Sequence, residues 1–190
     1  MKGKREEKKE AVRQKILDVS LELFESHGYE AVSVNQIVKA AGIAKGTFFN
    51  YFPKKADLIA DWYKQRATAS LDKARASRQD SFSDALFDLA QQSTAIIDDS
   101  NTVWRAKIIH VIDTPSIQQI EQASDNQLRV YVAELISTYN VETKVSPEEF
   151  AELFASLITG TIREWVNNGQ KEDLPAKLKH TITLFLKCAT

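Results

Sequence analysis

Between Ser33 and Lys55 the chain reads SVNQIVKAAGIAKGTFFNYFPKK, and the groups it carries there are ones that can read the edges of nucleic-acid bases. With Lys45 to Tyr51 helical, Phe48 and Phe52 fall four residues apart on an inner face, and Lys45, Gly46, Thr47, Phe49 and Asn50 are left pointing outward. In a major groove an asparagine pairs with adenine, apolar carbon meets a thymine methyl, and a lysine reaches guanine or a phosphate. A glycine lets two backbones approach closely. Tyr51 and Lys55 stand at the edge of this face where phosphates would pass, and Ser33 and Val34 open the preceding helix. The plainer reading of the same stretch is a helical hairpin in some other all-α protein, with Phe49 in its core.

No other constellation carries chemistry. The chain has no Gly-rich phosphate loop after a strand, no CxxC pair, no HExxH and no GxSxG. His110 and Asp113 lie one helical turn apart, yet no motif places a serine or cysteine nucleophile with them, and a structural histidine is the better reading. No metal or cofactor is expected.

The elements that position the base-reading face can be read from their ends. Ser33 and Gln36 form a capping box, which starts a helix at Val34. Ile37 and Ala41 share its inner face, and Gly42 suits the left-handed residue that ends it. A second helix runs from Lys45 to Tyr51, and Pro53 forbids its continuation. Upstream, Val12, Ile16, Val19, Leu23 and Phe24 keep helical spacing until His27-Gly28. The preceding MKGKREEKKE has no apolar periodicity and is expected to be a mobile arm, with Lys4, Arg5, Lys8 and Lys9 available to phosphates.

From about Arg13 to Ile59 these features resemble the DNA-binding domain of TetR-family transcriptional regulators. The first helix ends in LFESHGYEAVSV, IVKAAGIAKGTFFNYF forms the helix-turn-helix, and PKKADLI opens a long fourth helix. Three positions depart from the common pattern. Ala44 stands where Ser or Thr often caps the recognition helix, a cap worth about 1 kcal/mol. Val38 stands where the two helices usually cross over a small residue, and Phe49 where a tyrosine is frequent. The resemblance implies an all-α protein: an N-terminal three-helix helix-turn-helix DNA-binding domain over residues 1–54, and a C-terminal helical ligand-binding and dimerisation domain over residues 55–190. It further implies operator DNA as partner, a homodimer, and a small-molecule effector that releases a repressor from its operator. An effector-independent regulator is the alternative; an all-α enzyme or carrier has no positive support.

Downstream of Pro53 the sequence predicts six more helices. The fourth runs through Trp62 and Tyr63 to near Ser77, and the fifth, capped by Ser81 or Ser83, carries Leu86 to Ile97. The sixth starts at Asn101 and reaches Ile112, and the seventh runs from Pro115 to about Tyr139. Ser146-Pro147-Glu148-Glu149 launches the eighth with a capping box, and Leu174 to Leu186 makes the ninth. The family places an effector cavity among helices four to eight, where Trp62, Phe87, Trp104, Ile108, Tyr131 and Phe154 offer apolar walls. Gln91, Thr94, His110 and Gln127 are the polar anchors expected there, which suits a mainly apolar or aromatic ligand. The eighth and ninth helices carry stripes too wide for one neighbour. With the family's habit of pairing through these helices, Leu157, Ile158, Thr161, Trp165, Leu178, Ile182 and Phe185 are the expected dimer interface.

Composition fits this division. Net charge is −1, but residues 1–60 hold 11 Lys and Arg against 8 Asp and Glu, while residues 61–190 hold 14 against 18. The basic excess thus sits with the base-reading face. One cysteine, Cys188, excludes an internal disulfide framework and fits a reducing compartment. Without a signal-peptide core or a membrane-length apolar run, the expectation is a cytoplasmic protein with no membrane partner.

Overall fold

Nine helices and no strand make up the described residues, 3–190, of the computed structural model. They are α1 (Lys4–His27), α2 (Val34–Ala41), α3 (Lys45–Tyr51), α4 (Ala56–Ala76), α5 (Phe82–Asp99), α6 (Asn101–His110), α7 (Pro115–Thr138), α8 (Pro147–Asn167) and α9 (Leu174–Ala189). The chain divides into two compact units: one holds the residues through Gln65 together with Ile97–Glu121, the other Arg66–Ile96 and Gln122–Thr190.

In the first unit the ends of the short helices are set by local chemistry. The Ser33 hydroxyl accepts from the Gln36 N–H, and the Gln36 side chain accepts from the Ser33 N–H at 2.8 Å, so the capping box is complete. Gly42 ends α2 at φ 65°, a conformation that a Cβ would strain. Ala44 begins α3 with no side-chain cap. Phe48 and Phe52 are fully buried, as are Ile16, Phe24 and Ile37; α3 packs on α2, which packs on α1. At the start of α4, Asp57 accepts from the Lys54 N–H at 2.7 Å, closing the junction after α3.

α1 begins at Lys4, eight residues before the first periodic apolar position, so the expected mobile arm is helical from that residue on. The reason is propensity: Lys, Arg and Glu are good helix formers, and Glu6 and Glu7 in the first turn complement the helix dipole. Met1 and Lys2 lie outside the described residues. α6 also differs, ending at His110, and Ile112 beyond it is 77 % exposed. The helix is tied at both ends: the Ser100 hydroxyl bonds Glu25 of α1, and His110 pairs with Glu30 at 2.7 Å and packs on the Tyr29 ring, both in the segment that follows α1.

The second unit has an aromatic centre. Phe150 and Phe154 are fully buried against Phe185, with ring centroids 4.8 and 6.2 Å apart, and Phe82 packs on Phe150. Two tyrosine hydroxyls close the frame by donating to backbone carbonyls, Tyr131 to Ala74 at 2.9 Å and Tyr139 to Gln79 at 2.8 Å. A full capping box at Ser146 and Glu149 starts α8.

Candidate nucleic-acid interface

The outward face of α3 is assembled by what lies beneath it. With Phe48 and Phe52 inside, Lys45, Gly46, Phe49 and Asn50 are exposed, and Thr47 and Tyr51 are half-buried at the margins. Lys45 and Phe49 are neighbours one turn apart, as are Gly46 and Asn50. Phe49 is 41 % exposed, held upright by an edge contact on Phe48 at 5.4 Å. Leaving that much ring in water is costly unless something covers it. Gly46 has nothing within 4 Å of where a Cβ would stand, so none of the described residues fills the space above it. At the start of α2, Ser33 is exposed and Val34 half-buried; the Ser33 hydroxyl is occupied by Gln36.

One cation, Lys55, behaves differently from the sequence expectation. Lys55 does not extend toward phosphates: its ammonium donates to the carbonyls of Tyr29 at 2.8 Å and Val32 at 3.0 Å and lies 4.0 Å from the centre of the Tyr29 ring. Burial pushes its pKa below the ordinary lysine value, with the Glu30 carboxylate pulling the other way. Tyr29 responds to the same surroundings. Its hydroxyl is pushed up to about 12, first by burial and then by the negative charges of Glu30 and Asp57.

Arg13, which no motif marked, supports the face from behind. It grips Asp61 with two hydrogen bonds, at 3.0 and 2.8 Å, donates to the Tyr51 carbonyl at 3.1 Å, and stacks over Phe52 at 4.5 Å. One guanidinium therefore joins α1, the open carbonyl end of α3 and α4.

The residues expected to hold an effector are scattered. Trp62, Trp104, Ile108 and His110 belong to the first unit, and Phe87, Gln91, Thr94, Gln127, Tyr131 and Phe154 to the second. Trp62, Trp104, Tyr131 and Phe154 are buried as apolar walls would be, and Phe87 and Ile108 are half-buried. The expected polar anchors face solvent or have partners within the chain. Gln91 and Gln127 are exposed, the Thr94 hydroxyl donates to the Gln91 carbonyl at 2.9 Å, and His110 is held by Glu30. A groove of about 640 Å³ in the second unit is lined by Arg129, Val130, Glu134, Glu148 and Glu152, among others, and by none of the expected effector residues.

The expected interface residues are also redistributed. Ile158, Thr161, Leu178 and Ile182 are buried within the second unit itself, because the wide stripes of α8 and α9 turn their larger half toward the chain's own core. Leu157, Trp165 and Phe185 are half-buried; Phe185 stacks on Phe150, and the Trp165 indole donates to the Glu172 carbonyl at 2.7 Å. The outward sides of these helices carry Leu153, 51 % exposed, and Leu184, 48 % exposed.

A short helix ending in an αL glycine, a turn, and a second short helix presenting cation, amide, hydroxyl and aromatic ring on a rigid base define a helix-turn-helix DNA-binding protein. Residues 16–61 match the family of bacterial regulatory proteins, tetR family. Over 98 % of its length the chain is 22 % identical to the HTH-type transcriptional regulator AcrR of Shigella flexneri, covering 93 % of that protein. It is 23 % identical to the fatty acid metabolism regulator protein of Bacillus subtilis, over 86 % of this chain and 73 % of that one. Among solved structures it shares its fold with FadR of Thermus thermophilus, a TetR-family transcriptional repressor in complex with lauroyl-CoA, at a TM-score of 0.73 and 21 % identity, covering 92 % of this chain and 93 % of that one. Residues 16–61 thus carry the DNA-binding domain of the tetR family, and the chain as a whole has the fold of a TetR-family transcriptional repressor.

Proposed function

We propose that this regulator is a homodimeric repressor that seats α3 of each protomer in the major groove of a near-palindromic operator, and that leaves the operator when its helical C-terminal part binds a small effector. The observation that carries the DNA half is the exposed Lys45, Gly46, Phe49 and Asn50 face over a buried Phe48 and Phe52. Phosphate contacts position such a helix and base contacts specify the sequence. Lys45 is the cation of the face, and Thr47, Phe49 and Asn50 are its base readers. Lys55 acts indirectly, by fixing the loop between α1 and α2 that presents Ser33 and Val34.

The effector half is supported by the likeness to FadR of Thermus thermophilus, which binds lauroyl-CoA. A second reading, a regulator that needs no effector, draws on the satisfied or exposed state of the expected polar anchors. The reading gives the protein no catalytic role, and action on operator DNA places it in the cytoplasm. For the dimer we assign the outward sides of α8 and α9, where Leu153 and Leu184 are exposed and Ser156, Thr159 and Gly160 let a second helix come close. The deciding experiment is to sequence the DNA that the purified protein retains from a fragmented genome. Recovery of one recurrent near-palindrome is expected, and retention without sequence preference would refute the operator reading.

A further inference from the structure

The seam between α7 and α8 holds two hollows of opposite charge, both within the second unit. The groove of about 640 Å³ is acidic, with Glu134, Glu148 and Glu152 beside Arg129. The other, of about 290 Å³, is basic, with Arg129 and Arg163 beside Asp125. Arg129 borders both, and its Nε is buried with no acceptor among the described residues, where such a group ordinarily has one. Glu148, Glu152 and Arg163 are exposed and make no ion pair among the described residues. The residues that α8 gives to the seam are also matched about the middle of the helix. Those lying equally far from the midpoint between Ala155 and Ser156 are small with small, Ala151 with Gly160, and acid with base, Glu148 with Arg163.

We infer that this seam is a self-complementary docking surface for a second copy of the chain, with α8 crossing its counterpart antiparallel at Ala155 and Ser156, and with Glu148 and Glu152 of each copy seated in the basic hollow of the other. The inference rests on the homodimer reading above and gives that dimer a register and a set of ion pairs. Two-fold symmetry requires that where residue i meets residue j, j also meets i. An antiparallel crossing of one helix on its own copy therefore joins residues equidistant from its centre, and those are the matched pairs. Glu148 and Arg163 stand about 11 Å to either side of that centre, at 1.5 Å per residue. Thr159 lines the basic hollow, so the Glu152 that lies opposite it arrives beside Arg129 and supplies the acceptor that Nε lacks. Small side chains at 151, 155, 156 and 160 let the two backbones come close, and Gly160 has nothing within 4 Å of where a Cβ would stand. Val130 at the rim of the acidic groove and Leu153 beside it, 56 % and 51 % exposed, give the contact apolar surface to bury. A partner of one charge sign would leave one hollow unmatched, whereas a copy of this chain turned end for end satisfies both.

The test is sedimentation equilibrium of the full-length chain, with far-UV circular dichroism on the same samples. Glu148→Lys with Glu152→Lys in one chain, and Arg163→Glu in another, each set like charges against each other twice across the two-fold. Each should raise the dimer dissociation constant about a hundredfold. Mixed in equal amounts, the two reversed chains should join as a heterodimer with nearly wild-type affinity, because opposite signs then meet at both ends. Reversed chains that stay dimeric on their own, or folded monomers that fail to join on mixing, overturn the inference. Where a reversal costs the helical signal, Glu152→Gln and Arg163→Gln decide: each should weaken the dimer about tenfold, and an unchanged constant overturns the inference. Dimers indifferent to positions 148, 152 and 163 but broken by Leu184→Glu would overturn it while upholding the homodimer. A wild-type chain that sediments as a monomer would sink that reading and the inference with it.

Discussion

Arg13 holds Asp61 in a two-pronged grip, Nε at 3.0 Å and Nη2 at 2.8 Å, and spends its remaining nitrogen on the Tyr51 carbonyl at 3.1 Å. The Asp61 side chain is 12 % exposed and that of Arg13 32 %, so the pair is partly shielded from water. Its position matters more than its strength, because it ends the recognition helix and fixes that end to both neighbours at once.

Arg13→Ala should therefore cost about 1 to 3 kcal/mol of stability, the range for a charge-assisted hydrogen-bonded group whose partner is left behind. Arg13→Lys should recover little, since an ammonium cannot reproduce the fork. Urea unfolding is the measurement, with the midpoint lowered at unchanged slope. Operator affinity should fall at every sequence tested, because the helix is misplaced and no base contact is lost.

Gly46 invites a test in which stability and binding move oppositely. Nothing lies within 4 Å of its missing Cβ, so Gly46→Ala is accommodated by the free protein. In a helix this exchange is worth about 0.5 to 1 kcal/mol in favour of alanine. If the open space is where the DNA backbone or a base edge comes close, the same methyl must weaken operator binding. Thermal denaturation and fluorescence anisotropy on one preparation decide it; a variant both more stable and equally tight would show that α3 stands farther from the duplex than its face suggests.

These devices differ in how far they could be read from the chain. Capping boxes at Ser33 and Ser146, the αL glycine at position 42 and the prolines at 115 and 147 act within a few residues, so their chemistry is visible in order along the sequence. The grip of Arg13 on Asp61 spans 48 positions and leaves no local trace. Lys107 misleads for a related reason: lysine reads as a surface residue, whereas here the rings of Tyr63 and Trp104 and the charge of Glu121 help to offset its burial. On α8 and α9 the stripes were legible, but which half faces the chain's own core depends on where Phe82 and Phe150 stand.

Lys55 and Tyr29 give a prediction in pH and salt. Because burial lowers the Lys55 pKa, the unfolded chain binds its proton more readily between that lowered value and 10.5, and stability contributed here rises with pH across that window. Tyr29 acts the other way: with its folded pKa near 12 against 10.0 unfolded, the folded state keeps a proton that the unfolded state gives up, so stability falls from pH 10 toward 12. Tyr29→Phe should remove that alkaline decline, as read by denaturant midpoints across the range. Lys55→Ala should lower stability yet leave the salt dependence of operator binding unchanged, since its ammonium serves two carbonyls. Lys45→Ala, by contrast, should reduce the slope by about one. A reduced slope in the Lys55 variant would mean that the side chain leaves Tyr29 and Val32 to meet a phosphate.

The assignment of the dimer face separates two kinds of leucine and isoleucine. Leu153 and Leu184 are about half exposed, at 51 % and 48 %, whereas Leu178 and Ile182 are 0 % and 1 % exposed inside the second unit. A charge placed at Ile182 is buried without a partner in the protomer itself and should unfold it. Leu153→Glu or Leu184→Glu places the charge in water in the free protomer and in a closed interface only in the dimer, so it should yield folded monomers. Sedimentation with circular dichroism on the same samples distinguishes these results. Such monomers should also bind a single half-site, losing the gain that comes from two recognition helices about 34 to 36 Å apart reading successive major grooves. If both leucine variants stay dimeric and bind the full operator as the wild type does, the interface lies on another surface.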